Sequence, residues 1–325
     1  MKYKKIPNTD FKVSKLSVGT WQFGQGLDWG ESSLTELLEL VSCAYEAGVN
    51  FFDTAPVYNE GQSEEILGKA LGAKRKDVFI STKVLTNKFN YQNIKDSLVR
   101  SLRRLDTDYV DFFQIHWPKD SMSRKDCEDI FTSFMKLKKE GFVRVAGLSN
   151  FRAKHLEGFS RDALSFFSFN QVPCNLLWRY YDVDGTTKLC ESNHISLFAY
   201  SPLAQGLLTG RFKRNESFKS RARSQNILFK DPAYSKSLKV IEKVEDIARN
   251  HNCSPAQVAL SWVMDKLEIA TSIVGLRRTE HLKDGLASLD VKLSQAELKL
   301  LNEESLRFQE ELDPGLRAMW KFANK

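Results

Sequence analysis

N-F-F-D-T-A-P-V-Y-N-E-G-Q-S-E-E, residues 50–65, is the stretch on which the reading turns. An apolar run of strand type, Val49 to Phe52, ends on a carboxylate, Asp53, and Tyr58 follows five residues later in a turn. An aspartate at the end of a buried strand must find a cation or several donors, or lose its charge. The stretch therefore asks for a cation that the fold can bring to Asp53 from elsewhere in the chain.

Runs of the same kind recur: Leu16 to Gly19, Val78 to Thr82, Tyr109 to Ile115, Val143 to Leu148, Phe166 to Asn170, Ile195 to Tyr200 and Ala270 to Val274. With Val49 to Phe52 they make eight strands. Helical faces lie between them, among them Leu34, Leu37, Leu38, Val41, Ala44 and Tyr45; Ile94, Leu98, Leu102 and Leu105; Ile130, Phe131, Phe134 and Leu137; and Leu238, Ile241, Val244 and Ala248. Ser33 with Glu36, Ser254 with Gln257 and Ser294 with Glu297 fit capping boxes, and Pro255 suits a first helical position. A polar hairpin, Tyr3 to Ile6 and Phe11 to Ser14, precedes the alternation. Eight strand–helix units favour an α/β (β/α)8 TIM barrel over 1–325, with an N-terminal β-hairpin and extra C-terminal helices; alternation alone leaves a doubly wound sheet as the alternative.

Composition agrees with a folded enzyme-sized chain, 325 residues with 42% hydrophobic and 27% charged. No apolar run reaches membrane-span length and no export signal follows the basic start, so a cytoplasmic location without membrane contact is expected. Five cysteines without C-x-x-C spacing suit reduced thiols. The net charge of +7 comes from basic residues mixed with acids along the chain, so no nucleic-acid partner is expected. The densest basic segment, Arg211 to Arg223, holds Lys213, Arg214, Lys219 and Arg221 against Glu216; it reads by default as a solvated loop, and otherwise as a contact for phosphates or an anionic substrate.

In a barrel of this kind the site lies at the C-terminal ends of the strands. Those ends carry Asp53, Lys83, His116, Ser149 with Asn150, Gln171 and Tyr200. Lys83, one strand over, is the cation that Asp53 requires. Each residue also has a plainer reading: a rim ion pair, a loop histidine at His116, a helix cap at Asn150, a loop aromatic at Tyr58. Their convergence on one rim favours chemistry.

In order along the chain, V-G-T-W-Q-F-G (18–24), G-V-N-F-F-D-T-A (48–55), Y-N-E-G-Q-S-E-E-I-L-G-K-A-L (58–71), I-S-T-K (80–83), Q-I-H-W-P (114–118), G-L-S-N-F (147–151), F-N-Q-V-P-C-N (169–175), A-Y-S-P-L-A-Q-G-L-L-T-G (199–210) and S-I-V-G-L-R-R (272–278) resemble the aldo-keto reductase pattern from end to end. The resemblance implies a (β/α)8 barrel and makes Asp53, Tyr58, Lys83 and His116 the catalytic four. Tyr58 would protonate a carbonyl oxygen while nicotinamide delivers hydride to carbon, with the Lys83 ammonium easing release of the phenolic proton. Ser149, Asn150 and Gln171 would hold the carboxamide, Tyr200 would stack on the ring, and Ser201, Leu203 and Gly206 would follow the pyrophosphate. Gly275, Arg277, Arg278 and His281 would take the adenosine end, with the two guanidinium groups favouring NADPH (NADP+) over NADH. Asn59, His281 and Gly285 depart from residues frequent in the family. Trp21, Trp29 and Trp117 would shape an apolar mouth for a small-molecule carbonyl substrate. No oligomeric state is implied. The competing readings are a nucleotide-binding regulatory subunit of the same fold and a metal-dependent barrel hydrolase; the five histidines show no metal-ligand spacing, and no metal is expected.

Overall fold

The computed structural model describes residues 1–24, 32–212, 218 and 220–312. An antiparallel hairpin, β1 (Tyr3–Lys5) and β2 (Lys12–Ser14), comes first. Eight parallel strands follow: β3 (Leu16–Gly19), β4 (Phe51–Asp53), β5 (Phe79–Val84), β6 (Val110–Ile115), β7 (Val143–Ser149), β8 (Phe169–Pro173), β9 (Ser196–Tyr200) and β10 (Ile269–Gly275). They pair in chain order and close through β10 on β3 into a barrel, with helices outside.

Three of the expected strands begin and end later in the chain: Val78 to Thr82 becomes β5, Phe79–Val84, and two others move with visible causes. Val49 and Asn50 stay outside β4: the Asn50 N–H donates to Ser14 Oγ at 3.3 Å, and the Asn50 side chain accepts from the Ser14 amide at 2.8 Å and donates to the Lys12 carbonyl at 2.9 Å. Phe166 ends a helix, Arg161–Phe166, capped by Ser160, and packs edge-on against Phe131 at 5.4 Å, so β8 starts only at Phe169. Capping boxes close at Ser33 with Glu36 and at Ser294 with Glu297. At Ser254 only half forms, since the Gln257 amide turns to Asp284 at 2.6 Å.

A side-chain period of two puts residues i and i+2 of a strand on one face. Phe51, Phe112 and Phe169 stand two residues before Asp53, Gln114 and Gln171 on the alternate strands β4, β6 and β8, the arrangement that builds barrel layers. The lower half is therefore filled by phenylalanine, with ring centroids 5.0 Å apart for Phe51 and Phe112 and 5.5 Å for Phe112 and Phe169. Each buried ring is worth roughly 2 kcal/mol in apolar area removed from water. Gly147 makes room for them: a Cβ there would lie 2.2 Å from the Phe169 ring, so even Gly147→Ala would break the layer. Ile6 and Val13 of the hairpin close the barrel below. A second core joins the barrel to the helices. Ile94, Leu98, Leu102 and Leu105 bury the whole apolar face of helix Tyr91–Leu105 in it. Among the described residues no helix is long and apolar enough to cross a membrane.

Candidate active site

The layer above the phenylalanines is polar, and Asp53 sits in it almost fully buried. Its Oδ2 accepts from Lys83 Nζ at 2.7 Å, and its Oδ1 accepts from Gln171 Nε2 at 2.8 Å. Gln114 Nε2 lies farther off, at 3.5 Å from Oδ1, and also donates to Ser81 Oγ at 3.2 Å. Lys83 donates a second bond to the Thr54 carbonyl at 2.8 Å. Burial alone would push the Lys83 ammonium down, but Asp53 and Tyr58 carry it above the ordinary lysine value.

Tyr58 opens the turn Tyr58–Gly61 after β4, with its ring centroid 4.9 Å from Lys83 Nζ. Its phenol is held above the ordinary value; burial raises it, and Lys83 pulls the other way without prevailing. Lys83 acts in the direction that the family resemblance implies, easing release of the proton, but against a larger opposing effect. Desolvation is the larger effect. His116 follows β6 and meets the Tyr58 ring edge-on at 5.9 Å between centroids. Burial, reinforced by Lys83, holds the imidazole well below its ordinary value, so it is neutral at pH 7. Its Nδ1 is buried without a hydrogen-bond partner.

Asn150, expected to cap a helix beginning at Phe151, does not. The helix there is Ala153–Leu156, with Arg152 at its N-cap position. Asn150 instead takes a left-handed φ of 64°, donates to the His116 carbonyl at 2.9 Å and to Ser149 Oγ at 3.0 Å, and accepts from the Tyr200 hydroxyl at 2.8 Å. Three strand ends, those of β6, β7 and β9, are thus tied into one frame.

A cleft of about 1120 Å³ opens over this frame. Its lining includes Asp53, Tyr58, His116, Ser149, Asn150, Gln171, Tyr200, Ser201, Leu203, Gly206, Gly275, Arg277 and His281, with Trp21 and Trp117 at the other end. Lys83 lies just beneath. Ser201, Ala204, Gln205 and Gly206 all have positive φ, a concentration of unusual backbone beside the cleft. Arg278 is not among the residues that line the cleft; it is exposed at the N-cap position of helix Thr279–Ala287. Arg277 does line it, and donates to Ser32 Oγ at 3.2 Å. Gly285 lines the cleft as well, where an added Cβ would meet Leu16 at 3.2 Å and Leu260 at 3.9 Å. The basic segment is not simply a solvated loop, because Arg211 and Arg223 line the cleft. Lys213, Arg214, Glu216 and Lys219, the Arg221 side chain, and Trp29 lie outside the described residues.

Sequence reading passed over Gln114, Gln205 and Gln22. Gln114 carried a signal, as an amide inside the apolar run V-D-F-F-Q-I of β6. Gln205 and Gln22, each with a buried side-chain atom lacking a partner, had none. Among the described residues no cluster of three His, Cys, Asp or Glu could hold a metal ion.

Residues 15–305 match the Aldo/keto reductase family. The chain belongs to that family. Its relatives include the NADH-specific methylglyoxal reductase of Escherichia coli (strain K12), 30% identical over 92% of this chain and 98% of that one. Another is the aldo-keto reductase YhdN of Bacillus subtilis (strain 168), 29% identical over 87% of each chain. Among solved structures, a glycerol dehydrogenase from Gluconobacter oxydans superposes with a TM-score of 0.83 at 28% identity, covering 97% of this chain and 99% of that one. A thermostable aldo-keto reductase in complex with the inhibitor epalrestat gives 0.77 at 31% identity, covering 94% and 100%. The (β/α)8 barrel with its N-terminal hairpin is thus a family property, and the family relatives named here include oxidoreductases.

Proposed function

We propose that this family member is a nicotinamide-dependent reductase that converts an aldehyde, ketone or sugar-like carbonyl to the alcohol, with Tyr58 as proton donor. The observation that carries the reading is the meeting, at one cleft, of a protonated phenol, a buried ammonium–carboxylate pair and a neutral imidazole. The cleft also fits a dinucleotide. Its volume exceeds the roughly 300–1,000 Å³ of most small-molecule sites, and one side presents Arg211, Arg223 and Arg277 to phosphate groups. Gln205 Nε2, buried at that side without a partner, suits an anionic oxygen. When bound, the nicotinamide supplies hydride to the carbonyl carbon.

The chain's own residues do the rest. His116, neutral, hydrogen-bonds the carbonyl oxygen and orients it, and Tyr58 passes its proton to that oxygen as charge develops there. The phenolate left on Tyr58 then faces the Lys83 ammonium, and Asp53 keeps that charge in place through Oδ2 while Gln171 holds Oδ1. Ser149, Asn150 and Gln171 take the carboxamide, Tyr200 the ring face, and Ser201, Leu203 and Gly206 the pyrophosphate. Arg277, with His281 and Gly275, takes the adenosine end, and the guanidinium favours NADPH; Arg278 adds charge from outside the cleft. A relative that is NADH-specific makes this preference the point to measure.

The experiment is a titration with NADPH and with NADH followed by tryptophan fluorescence, then turnover with a panel of aldehydes, ketones and sugars. Tight NADPH binding that loses its advantage over NADH in Arg277→Ala, with NADPH oxidation that stops in Tyr58→Phe, is expected. NADH bound as well as NADPH would overturn the cofactor preference, and turnover retained in Tyr58→Phe would overturn the mechanism.

A further inference from the structure

The turn that carries Tyr58 is unusual. Asn59, Glu60 and Gly61 follow it with φ of 47°, 56° and 93°, three successive left-handed residues of which only one is glycine. Asparagine tolerates that region better than most side chains, but a left-handed non-glycine residue persists where its surroundings hold it. What holds Asn59 is the loop after β3: its Nδ2 donates to the Phe23 carbonyl at 2.5 Å. The two segments also press together, since a Cβ on Gly24 would stand 3.1 Å from Asn59 Cβ and 2.9 Å from Gln62 Oε1. Four residues on, Ser63 Oγ donates to the Thr20 carbonyl at 2.8 Å and lies 2.6 Å from Thr20 Oγ1 and 2.9 Å from Thr54 Oγ1. The same loop places the Trp21 ring 6.2 Å from the Tyr58 ring.

We propose that Asn59 is a positioning residue for Tyr58: its side-chain amide ties the left-handed turn to the Phe23 carbonyl, so that the phenol and the Trp21 loop form one rigid wall of the cleft. The inference rests on Tyr58 being the proton donor. Ser63 anchors the far end of the turn to the barrel, and Asn59 anchors the near end, next to the phenol. Glycine at 59 would allow the same backbone and leave the near end untied.

Two variants test this. Asn59→Gly keeps the backbone conformation and removes the tether; Asn59→Asp keeps the shape but offers a carboxylate, which cannot donate to a carbonyl. Both are expected to lower kcat on the order of tenfold, the scale of a small misplacement at the reacting centre, while the dissociation constant for the nicotinamide cofactor changes less than about twofold. Amide hydrogen exchange is expected to quicken in residues 20–24 and 57–62 of Asn59→Gly and nowhere else. The assignment falls if both variants turn over at the wild-type rate, or if kcat, cofactor affinity and melting temperature all decline together. Failure of the mechanism itself reads differently, as activity surviving in Tyr58→Phe whatever occupies position 59.

Discussion

Two buried carboxylates on barrel strands, Asp111 near the start of β6 and Asp53 at the end of β4, are built from similar parts and do different things. Asp111 Oδ2 accepts from Arg75 at 2.9 Å and from the Ile80 amide at 3.0 Å, and its Oδ1 accepts from Arg144 at 2.7 Å. The Arg144 guanidinium in turn covers the Phe11 ring at 4.2 Å. The cluster is closed, at the end of the barrel where charge serves stability. Asp53 is also fully engaged, but its cation faces Tyr58, and beyond lie His116 and the open space of the cleft. A buried ion pair becomes a chemical device when its cation still has a titratable neighbour to influence.

The sharpest way to break this contrast is Tyr58→Phe beside Asp111→Ala. Tyr58→Phe is expected to lower turnover about a thousandfold, the range of a lost general acid, with little change in melting temperature. Asp111→Ala takes the carboxylate from a partly buried Arg75, which keeps its bonds to Thr107 Oγ1 and the Val78 and Tyr109 carbonyls, and is expected to cost about 3 kcal/mol in a urea or guanidinium titration, with kcat per folded molecule unchanged. If Asp111→Ala instead removed activity without destabilising the fold, the two carboxylates would not differ as described.

Lys83→Met should do some of both, leaving Asp53 buried with only amide donors. Turnover is expected to fall about a hundredfold and stability by roughly 3 kcal/mol, measured on one preparation by assay and chemical denaturation.

Gln114→Leu tests the weaker support of Asp53, whose contact at 3.5 Å is long. A loss of about 1 kcal/mol in stability and a rate change of about threefold or less are expected; a larger rate effect would place Gln114 closer to the chemistry than its geometry does.

The pH dependence is the mildest effect expected. Tyr58 and Lys83 hold their protons past the ordinary values and His116 gives its up below its own, so none of the three changes state between about pH 6.5 and 10. Reductive kcat should be flat there and decline above, as Tyr58 ionises; an inflection near pH 6.5 would mean that His116 titrates in the working enzyme. Stability behaves in the opposite sense to a protonated pair. His116 lies below its ordinary value and His155 is pushed down to about 4, so the unfolded chain binds protons that the folded one does not as pH falls below 6.5. Melting temperature should drop on acidification from about pH 6.5.

The strand ends were readable because a strand alternates its side chains and a parallel barrel gathers all C-terminal ends on one rim. That is why Asp53, Lys83, His116, Ser149, Gln171 and Tyr200 could be named together from a linear chain. Gly147 and the phenylalanines two residues below the polar layer follow the same period and were equally available. Phe166 was not: F-F-S-F offers aromatics to a helix end and to a strand start alike, and the Ser160 cap with the Phe131 contact decided between them.

What the sequence determined by itself is therefore periodic or local: the strand–helix alternation, the caps at Ser33 and Ser294, the residues at the strand ends and the family pattern. What only the tertiary structure decided acts through space. Burial outweighs Lys83 at Tyr58. Asn150 turns from a cap into a brace between His116 and Tyr200. Arg277 reaches the cleft while Arg278 does not, and Asn59 finds the Phe23 carbonyl thirty-six positions away. Dielectric surroundings and side-chain partners depend on all neighbours at once, and no spacing along the chain encodes them.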